Sequence, residues 1–351
     1  MLYWLGGLLV RHFGDGPYRL LSSRLVLAIA GLALTAVCVW WWLPRWVRRL
    51  PTDRGRPFAV GAAASQGKPT GVGVIFMPLY GIAALLVTPV SWTYTAVLGC
   101  ALLAMWAGYL DDRAKLAWSD YSKAAADLGI AFATAWALSG GESVELWLPV
   151  YKAAVTVGPG LYLPMATALL WISINATNCT DGVDGLSGSL LLLAFLCLGG
   201  VLTMVVGHQD VARYLLVPWY REGADWGIMA FTLSGVLLGY LWYNASPSEF
   251  LMGDAGSRPL GLLLGVFVLA SGNPALILVV AAVVLVNGGT GLLKIALLRF
   301  FRIGIFRSVR FPLHDHCRGK WNWSNTQVLV RFMILQAVLT SVLIALLLKV
   351  R

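Results

Sequence analysis

Charge is what this sequence has least of. Asp, Glu, Lys and Arg make up 12% of its 351 residues, against 59% hydrophobic residues. Soluble globular chains carry about 25% charge, so half that amount cannot coat a soluble surface of this size. So apolar a chain is not intrinsically disordered either. Cysteine is also sparse. Cys38, Cys100, Cys179, Cys197 and Cys317 are odd in number and form no C-x-x-C pair, which excludes a disulfide scaffold and argues against a zinc framework. The N-terminus lacks both a basic n-region and a small-residue cleavage site, so no cleaved signal peptide is expected.

Long apolar runs take the place of charge. A bilayer-crossing helix needs about 20 mostly apolar residues, and ten stretches qualify: Leu25–Leu43, Thr70–Val90, Trp92–Leu110, Tyr121–Leu138, Leu161–Ile174, Gly185–Val206, Gly227–Tyr243, Ser257–Ala270, Pro274–Leu298 and Val328–Val350. The fifth and eighth are short, and the fourth carries Lys123 and Asp127. The expected fold is an all-α integral membrane protein of about ten transmembrane helices, forming one polytopic domain over residues 1–351. Residues 1–24 form an N-terminal segment. The alternating stretch within 142–160 (VELWLPVYKAAVTVG) reads as a hairpin.

The few charges fix an orientation. Arg45, Arg48, Arg49, Arg54, Arg56 and Lys68 lie in the first loop, and Arg113 and Lys115 in the third. Arg299, Arg302, Arg307, Arg310, Arg318 and Lys320 lie in the ninth, residues 299–327. The even loops hold only Lys152, Arg213 and Arg221. The positive-inside rule puts the odd loops in the cytoplasm and both termini outside, so segments 1–24 and 142–160 are extracytoplasmic. The net charge of +10 therefore reads as basic loops against anionic lipid, not as nucleic-acid binding. Within the ninth loop, Arg299–Phe311 would form an interfacial helix with its arginines on one side and Phe301, Ile305 and Val309 on the other.

The acids follow the same map. Asp53, Asp111, Asp112, Asp120, Asp181, Asp184, Glu249, Asp254 and Asp315, nine of the sixteen, fall on odd loops. Transporters more often carry ionisable groups near mid-span; here the chemistry sits at the membrane boundary. Asp111 and Asp112 close the third span, where an acid opposes the helix dipole and plain capping would favour Lys. Adjacent acids on a helix point about 100° apart, so the two need not share a ligand. Asn175, Asn178 and Asp181 recur at i, i+3 and i+6 and share a face if helical, with Asp184 close behind. Asp254 lies in a Gly-rich turn that opens a helix, a geometry suited to a phosphate or its Mg²⁺. His314 and His316 face one side only if their segment is extended; Cys317 is the one soft ligand near them. Ser65 through Gly73 adds Lys68, Thr70 and glycines at the same face. Carboxylates, amides, His and Lys without a redox site point to metal-assisted phosphate-group transfer between an aqueous and a lipid substrate.

The set GYLDDRAK, NATNCTDGVDGLSG, NASPSEFLMGDAGS and PLHDHCRGKW, in this order over about Gly67 to Phe332, resembles the polyprenyl-phosphate N-acetylhexosamine-1-phosphate transferases. The P-L-H-x-H element followed by Trp321 and TQVLVRF is similar to the branch acting on UDP-N-acetylmuramoyl-pentapeptide. The resemblance implies transfer of the sugar phosphate to undecaprenyl phosphate at the cytoplasmic face of a bacterial inner membrane, giving lipid I and UMP in peptidoglycan synthesis. It implies Mg²⁺ as cofactor, membrane lipids as surroundings and a homodimer. By the same resemblance Asp111, Asp112, Asp254 and His314 are catalytic, with Asp254 the metal ligand. Thr70, Lys123, Asn175, Asn178, Asp181, Asp184, Asn244 and His316 bind substrate. The lipid phosphate attacks directly or an Asp first takes up the phosphoryl group.

Departures from the family pattern accompany the match. Arg258 stands where an apolar residue is expected and Asp315 where the middle His is usual, which suggests an ion pair between them. Leu251 replaces an aromatic that would stack on uracil, and Ser65 a basic residue; Cys179 is expected only to pack. Two further readings compete: a GlcNAc-1-phosphate transferase of the same family and a multi-pass transporter of an anionic solute.

Overall fold

The computed structural model describes residues 1–14, 16–55, 60, 65–114, 116, 118–148 and 154–349. Arg56, Lys115 and Lys152 of the charge map, the middle of the 142–160 segment and Val350 of the tenth expected span lie outside the described residues. The chain runs α1 (Leu2–Phe13), α2 (Arg24–Trp46), α3 (Gly73–Val87), α4 (Trp92–Arg113) and α5 (Asp120–Ser139). Strands β1 (Val144–Leu146) and β2 (Val155–Val157) follow, paired antiparallel with Glu145 opposite Thr156. Then come α6 (Pro159–Thr180), α7 (Leu186–Gly200), α8 (Gln209–Leu215), α9 (Gly223–Asn244) and α10 (Gly253–Ala270). The last part holds α11 (Ile277–Val280), α12 (Ala282–Val284), α13 (Thr290–Phe301), α14 (Leu313–Trp321) and α15 (Asn325–Lys349).

Eight described helical segments are long and apolar enough to cross a bilayer, as in a multi-pass membrane protein. Two of the ten expected spans fall outside that group for physical reasons. Helix α3 has 15 residues, about 22 Å at 1.5 Å per residue, which is short of a hydrocarbon core of about 30 Å. Its final carbonyls, Leu85, Leu86 and Thr88, accept from the Met1 ammonium at 3.1, 3.0 and 3.3 Å. Helix α5 is 20 residues long but carries Asp120, Lys123 and Asp127.

Helix α10 is the axis of the bundle. Every residue from Asp254 to Leu269 is buried, and α3, α4, α6, α7 and α9 pack around it. A helix apolar on all sides must be enclosed. Between lipid-solvated helices no hydrophobic force remains, so close packing of small residues holds them together. Along α9, Gly235 and Gly239 lie against the backbone carbonyls of Leu32 and Ala36 on α2, the most extensive helix pair in the fold.

Several helix boundaries differ from the sequence expectation. The fifth and eighth spans are longer than Leu161–Ile174 and Ser257–Ala270, because the polar motif residues 175–180 and 253–256 stay helical. The loss of apolarity marked where lipid ends, not where hydrogen bonding ends. The ninth span, expected continuous over Pro274–Leu298, breaks at Ala281 (φ −132°, ψ 24°) and winds as a π turn over Leu285–Gly289. Unpaired backbone groups are costly in an apolar interior. Gln336 of α15, fully buried, repairs the break: it accepts from the Val283 N–H at 2.8 Å and donates to the Val279 carbonyl at 3.0 Å. The expected interfacial helix Arg299–Phe311 stops at Phe301, where Arg302 turns left-handed at φ 58°. The chain then folds back, its Phe306 and Val309 carbonyls accepting from Lys294 at 3.0 and 2.8 Å.

Candidate active site

The start of α10, the ends of α4, α6 and α9, and α14 meet at one end of the bundle around a cavity of about 680 Å³. Asp53, Asp111, Asp112, Asp181, Asp184, Asp254 and Asp315 line it, against the cations Arg54, Lys123, Arg310 and Arg318. Seven carboxylates facing four cations among the described lining residues make a field that draws in a cation. Thr70, Asn244, His314, Leu251, Ser65 and Cys179 also line it; Cys179 sits on the cavity wall and not, as expected, simply in the packing.

Asp111 and Asp112 diverge as their helical spacing requires. Asp111 turns toward α5: its Oδ1 accepts from the Trp118 N–H at 2.8 Å and its Oδ2 pairs with Lys123. Asp112 turns toward α10, where its two oxygens accept from the N–H groups of Asp254 and Ala255 at 3.1 and 3.0 Å. A carboxylate there caps the helix N-terminus and meets the positive end of its dipole. This approach is very close. Gly108 of α4 packs directly on the Asp254 carbonyl, where a Cβ would overlap it, and Gly253 adopts φ 65° beneath Asp112 and Thr70, a conformation that suits glycine.

Asp254 is held from two sides. Asn178 donates to its Oδ1 at 2.9 Å, and Arg258 Nη2 to its Oδ2 at 3.0 Å; Lys123 Nζ lies 3.5 Å from the same Oδ2. Asn178 also donates to Ser257 Oγ at 2.9 Å. The expected Arg258–Asp315 pair is not formed. Arg258 instead bonds Asp254 and Asp127, and Asp315 pairs with Arg318 at 2.7 Å and Arg310 at 3.9 Å. The reason is position in the fold: Arg258 is buried inside α10, whereas Asp315, in the first turn of α14, meets Arg318 one turn on along the same helix and Arg310 from the preceding loop.

The far wall is braced by polar side chains. Asp184 accepts from the Ser248 hydroxyl and N–H at 2.7 and 3.1 Å, with Lys68 Nζ at 3.7 Å. Asn244 accepts from the Gly185 N–H and donates to the Phe250 carbonyl, both at 2.9 Å, and so ties two motif loops together. The histidine segment is helical, not extended, so its two rings diverge. His314 faces the cavity; His316 Nδ1 accepts from the Arg310 N–H at 3.2 Å and its ring packs on Trp321. Asn175 also points away and donates to the Trp171 carbonyl at 2.9 Å. Thr70, Asp111, Asp112, Lys123, Asp181, Asp184, Asn244, Asp254 and His314 are thus brought together, Asn178 stands behind Asp254, and Asn175 and His316 are not on the cavity wall.

A model of Glycosyl transferase family 4 matches residues 94–272 of this chain, the stretch from α4 to the end of α10. A phospho-N-acetylmuramoyl-pentapeptide-transferase of Treponema pallidum subsp. pallidum is 49% identical over 355 residues, covering 99% of this chain and 97% of the relative. The chain belongs to the phospho-N-acetylmuramoyl-pentapeptide-transferase family. Proteins of the same name from Aliarcobacter butzleri and Nautilia profundicola are 29% and 26% identical over the full length of both chains. As a member of this family the protein is a phosphoglycosyl transferase.

Sequence reasoning passed over one residue that holds a side chain of the cavity wall. Asn287, in the π turn, accepts from the His314 N–H at 2.8 Å, donates to Thr180 Oγ1 at 3.1 Å and lies 3.1 Å from His314 Nδ1. A lone amide in the apolar run VVLVNGG was its signal, because polar groups at membrane depth are seldom idle. Asn287→Leu is expected to cost about 1–3 kcal/mol for each buried group left unpaired. The expected result is a lower thermal midpoint in detergent together with lost turnover; an unchanged midpoint would mean that the amide does not hold His314.

Soft-metal binding at the histidine helix finds no support. Among the described residues no group of three or more His, Cys, Asp or Glu is placed to hold a metal. Cys317 is buried, and burial pushes its thiol up, away from the thiolate a metal needs. Mg²⁺ asks for less: one or two carboxylates, with water and substrate phosphates completing its shell. Asp254 at the cavity wall, flanked by the other carboxylates, fits that requirement.

Proposed function

We propose that this protein transfers phospho-N-acetylmuramoyl-pentapeptide from its UDP derivative to undecaprenyl phosphate, at the cytoplasmic face of a bacterial inner membrane, with Mg²⁺. The observation that carries this reading is the convergence of Asp111, Asp112, Lys123 and Asp254 at the N-terminus of α10, in a chain that spans nearly the whole of a relative so named. Ten membrane crossings with both termini outside belong to the same proposal. The orientation is supported by the gathering of Arg54, Arg310 and Arg318 at the cavity end; the count of ten requires the short α3 and the charged α5 to cross as well. The homodimer implied by the family resemblance belongs to it too.

An oxygen of the lipid phosphate attacks the sugar-linked phosphorus of the donor. A new P–O bond forms, the bond to the bridging oxygen breaks, and UMP leaves. Asp254 would hold Mg²⁺, which neutralises charge on the diphosphate and the departing UMP. Lys123, between Asp111 and Asp254, presents its ammonium to a phosphate entering the cavity. Asp111 accepts the proton of the lipid phosphate, or attacks first as a nucleophile. Asp112 keeps the α10 N-terminus in place, since both its oxygens are already committed to backbone N–H groups. Asn244 and Asp184 brace the loops against which nucleotide and sugar would rest, and His314 faces them from α14.

Donor choice separates this reading from a GlcNAc-1-phosphate transferase. Purified protein with undecaprenyl phosphate should release UMP from UDP-N-acetylmuramoyl-pentapeptide and not from UDP-GlcNAc. Turnover of UDP-GlcNAc alone would replace the reading, and no UMP from either would favour the transporter.

A further inference from the structure

Arg258 is the most deeply buried cation of the described chain, 2% exposed, on a helix enclosed on every side. A guanidinium is retained in such a place only when carboxylates match it. Three lie within reach. Nη2 donates to Asp254 Oδ2 at 3.0 Å and Nη1 to Asp127 Oδ1 at 3.2 Å, and Asp111 Oδ2 lies 3.9 Å from Nη2. Asp127 is itself 2% exposed and lies one helical turn after Lys123 on α5. The charges therefore alternate through the wall of the site: Asp127, Arg258, Asp254, Lys123, Asp111. The last three line the cavity, while Asp127 and Arg258 do not. Neither of these two lines the cavity, so both act through carboxylates that do: Asp254 by a direct hydrogen bond, and Asp111 at longer range.

We propose that Arg258 and Asp127 form a positioning pair for this transferase. Arg258, opposite Asn178, fixes the plane of the Asp254 carboxylate and shares its negative charge with the metal. Asp127 is the counter-charge that lets Arg258 stay buried. This deepens the reading of Asp254 as the Mg²⁺ holder and rests on it. An apolar residue at 258 is then compatible with this fold only when 127 is neutral as well. The pair also sets how much Mg²⁺ the enzyme needs, because a guanidinium on Asp254 weakens the pull of that carboxylate on a second cation.

The test is a double-mutant cycle on the full-length protein in detergent: wild type, Asp127→Asn, Arg258→Leu and the double variant. The readouts are the thermal midpoint without metal, the Mg²⁺ concentration that half-shifts this midpoint without substrate, and UMP release. Each single variant should lower the midpoint, and the double variant should recover most of the loss. Arg258→Leu should lower kcat by about 10–100-fold with the donor KM unchanged, the usual effect of removing a residue that orients a metal ligand. The double variant should need at least about threefold less Mg²⁺ for the half-shift, since no guanidinium then competes for Asp254. Arg258→Lys should restore the midpoint but not kcat, because an ammonium lacks the planar two-pronged donor. Strictly additive midpoints, or a kcat fully rescued by lysine, would overturn the pair as a positioning device. A wild type whose midpoint and turnover ignore Mg²⁺ would overturn the metal reading of Asp254 and the positioning role with it. The two failures are distinguishable, because coupling of the midpoints does not depend on metal.

Discussion

Asp254→Asn is expected to reduce UMP release by about 10³-fold or more, since a Lewis-acid metal contributes several kcal/mol to charge stabilisation and each 1.36 kcal/mol is tenfold in rate. The replacement is nearly isosteric. Its amide oxygen can still accept from Asn178 and Arg258 keeps its bond to Asp127, but its NH₂ replaces the oxygen that Arg258 and Lys123 face. The thermal midpoint should therefore fall, while the protein stays folded and monodisperse and Mg²⁺ no longer shifts that midpoint. The measurement is UMP release against Mg²⁺ concentration alongside thermal unfolding of the same preparation. Turnover within tenfold of wild type would remove Asp254 from the chemistry.

Asp111→Asn and Asp112→Asn should differ, although the residues are adjacent. Asn at 111 can still accept from the Trp118 N–H at the position of Oδ1, but it takes from Lys123 the nearer of its two carboxylates and leaves only Asp254 at 3.5 Å. Its kcat should fall by about 10²–10⁴-fold, the range for losing a positioned acid or base, with little change in thermal midpoint. Asn at 112 offers one acceptor where two N–H groups need one each, so the amide NH₂ must face a donor. That should cost about 0.5–2 kcal/mol as a lost helix cap, lowering midpoint and turnover together. Steady-state kinetics and calorimetry on both variants check the contrast. An Asp111→Asn protein with wild-type kcat, or an Asp112→Asn protein with unaltered stability, would reverse the division of roles.

Much of the site was legible in the sequence because charge is so scarce. In an apolar chain each acid costs free energy unless it is hydrated, paired or used, so Asp111, Asp112, Asp181, Asp184, Asp254 and Asp315 stood out and proved to line one cavity. Helix extents were less legible. Hydropathy reports contact with lipid, whereas the helix is carried by backbone hydrogen bonds, and these continue through NATNCT and the first turn of α10. The break in the ninth span was hidden because its compensating side chain, Gln336, lies on a different helix. The partner of Arg258 was hidden for the same reason. Asp315 was its neighbour in motif order, but Asp127, 131 residues away, is its neighbour in space. The two histidines could face one side only on an extended segment, and the helical pitch of α14 separates them.

If the acid-lined cavity at the N-terminus of α10 carries out the proposed metal-dependent phosphoglycosyl transfer, product release must need the metal. The most direct measurement follows UMP released by the purified protein from UDP-N-acetylmuramoyl-pentapeptide and undecaprenyl phosphate, before EDTA, after EDTA, and after Mg²⁺ is restored. Release should stop with chelation and return with Mg²⁺. Release that continues undiminished through chelation would contradict it.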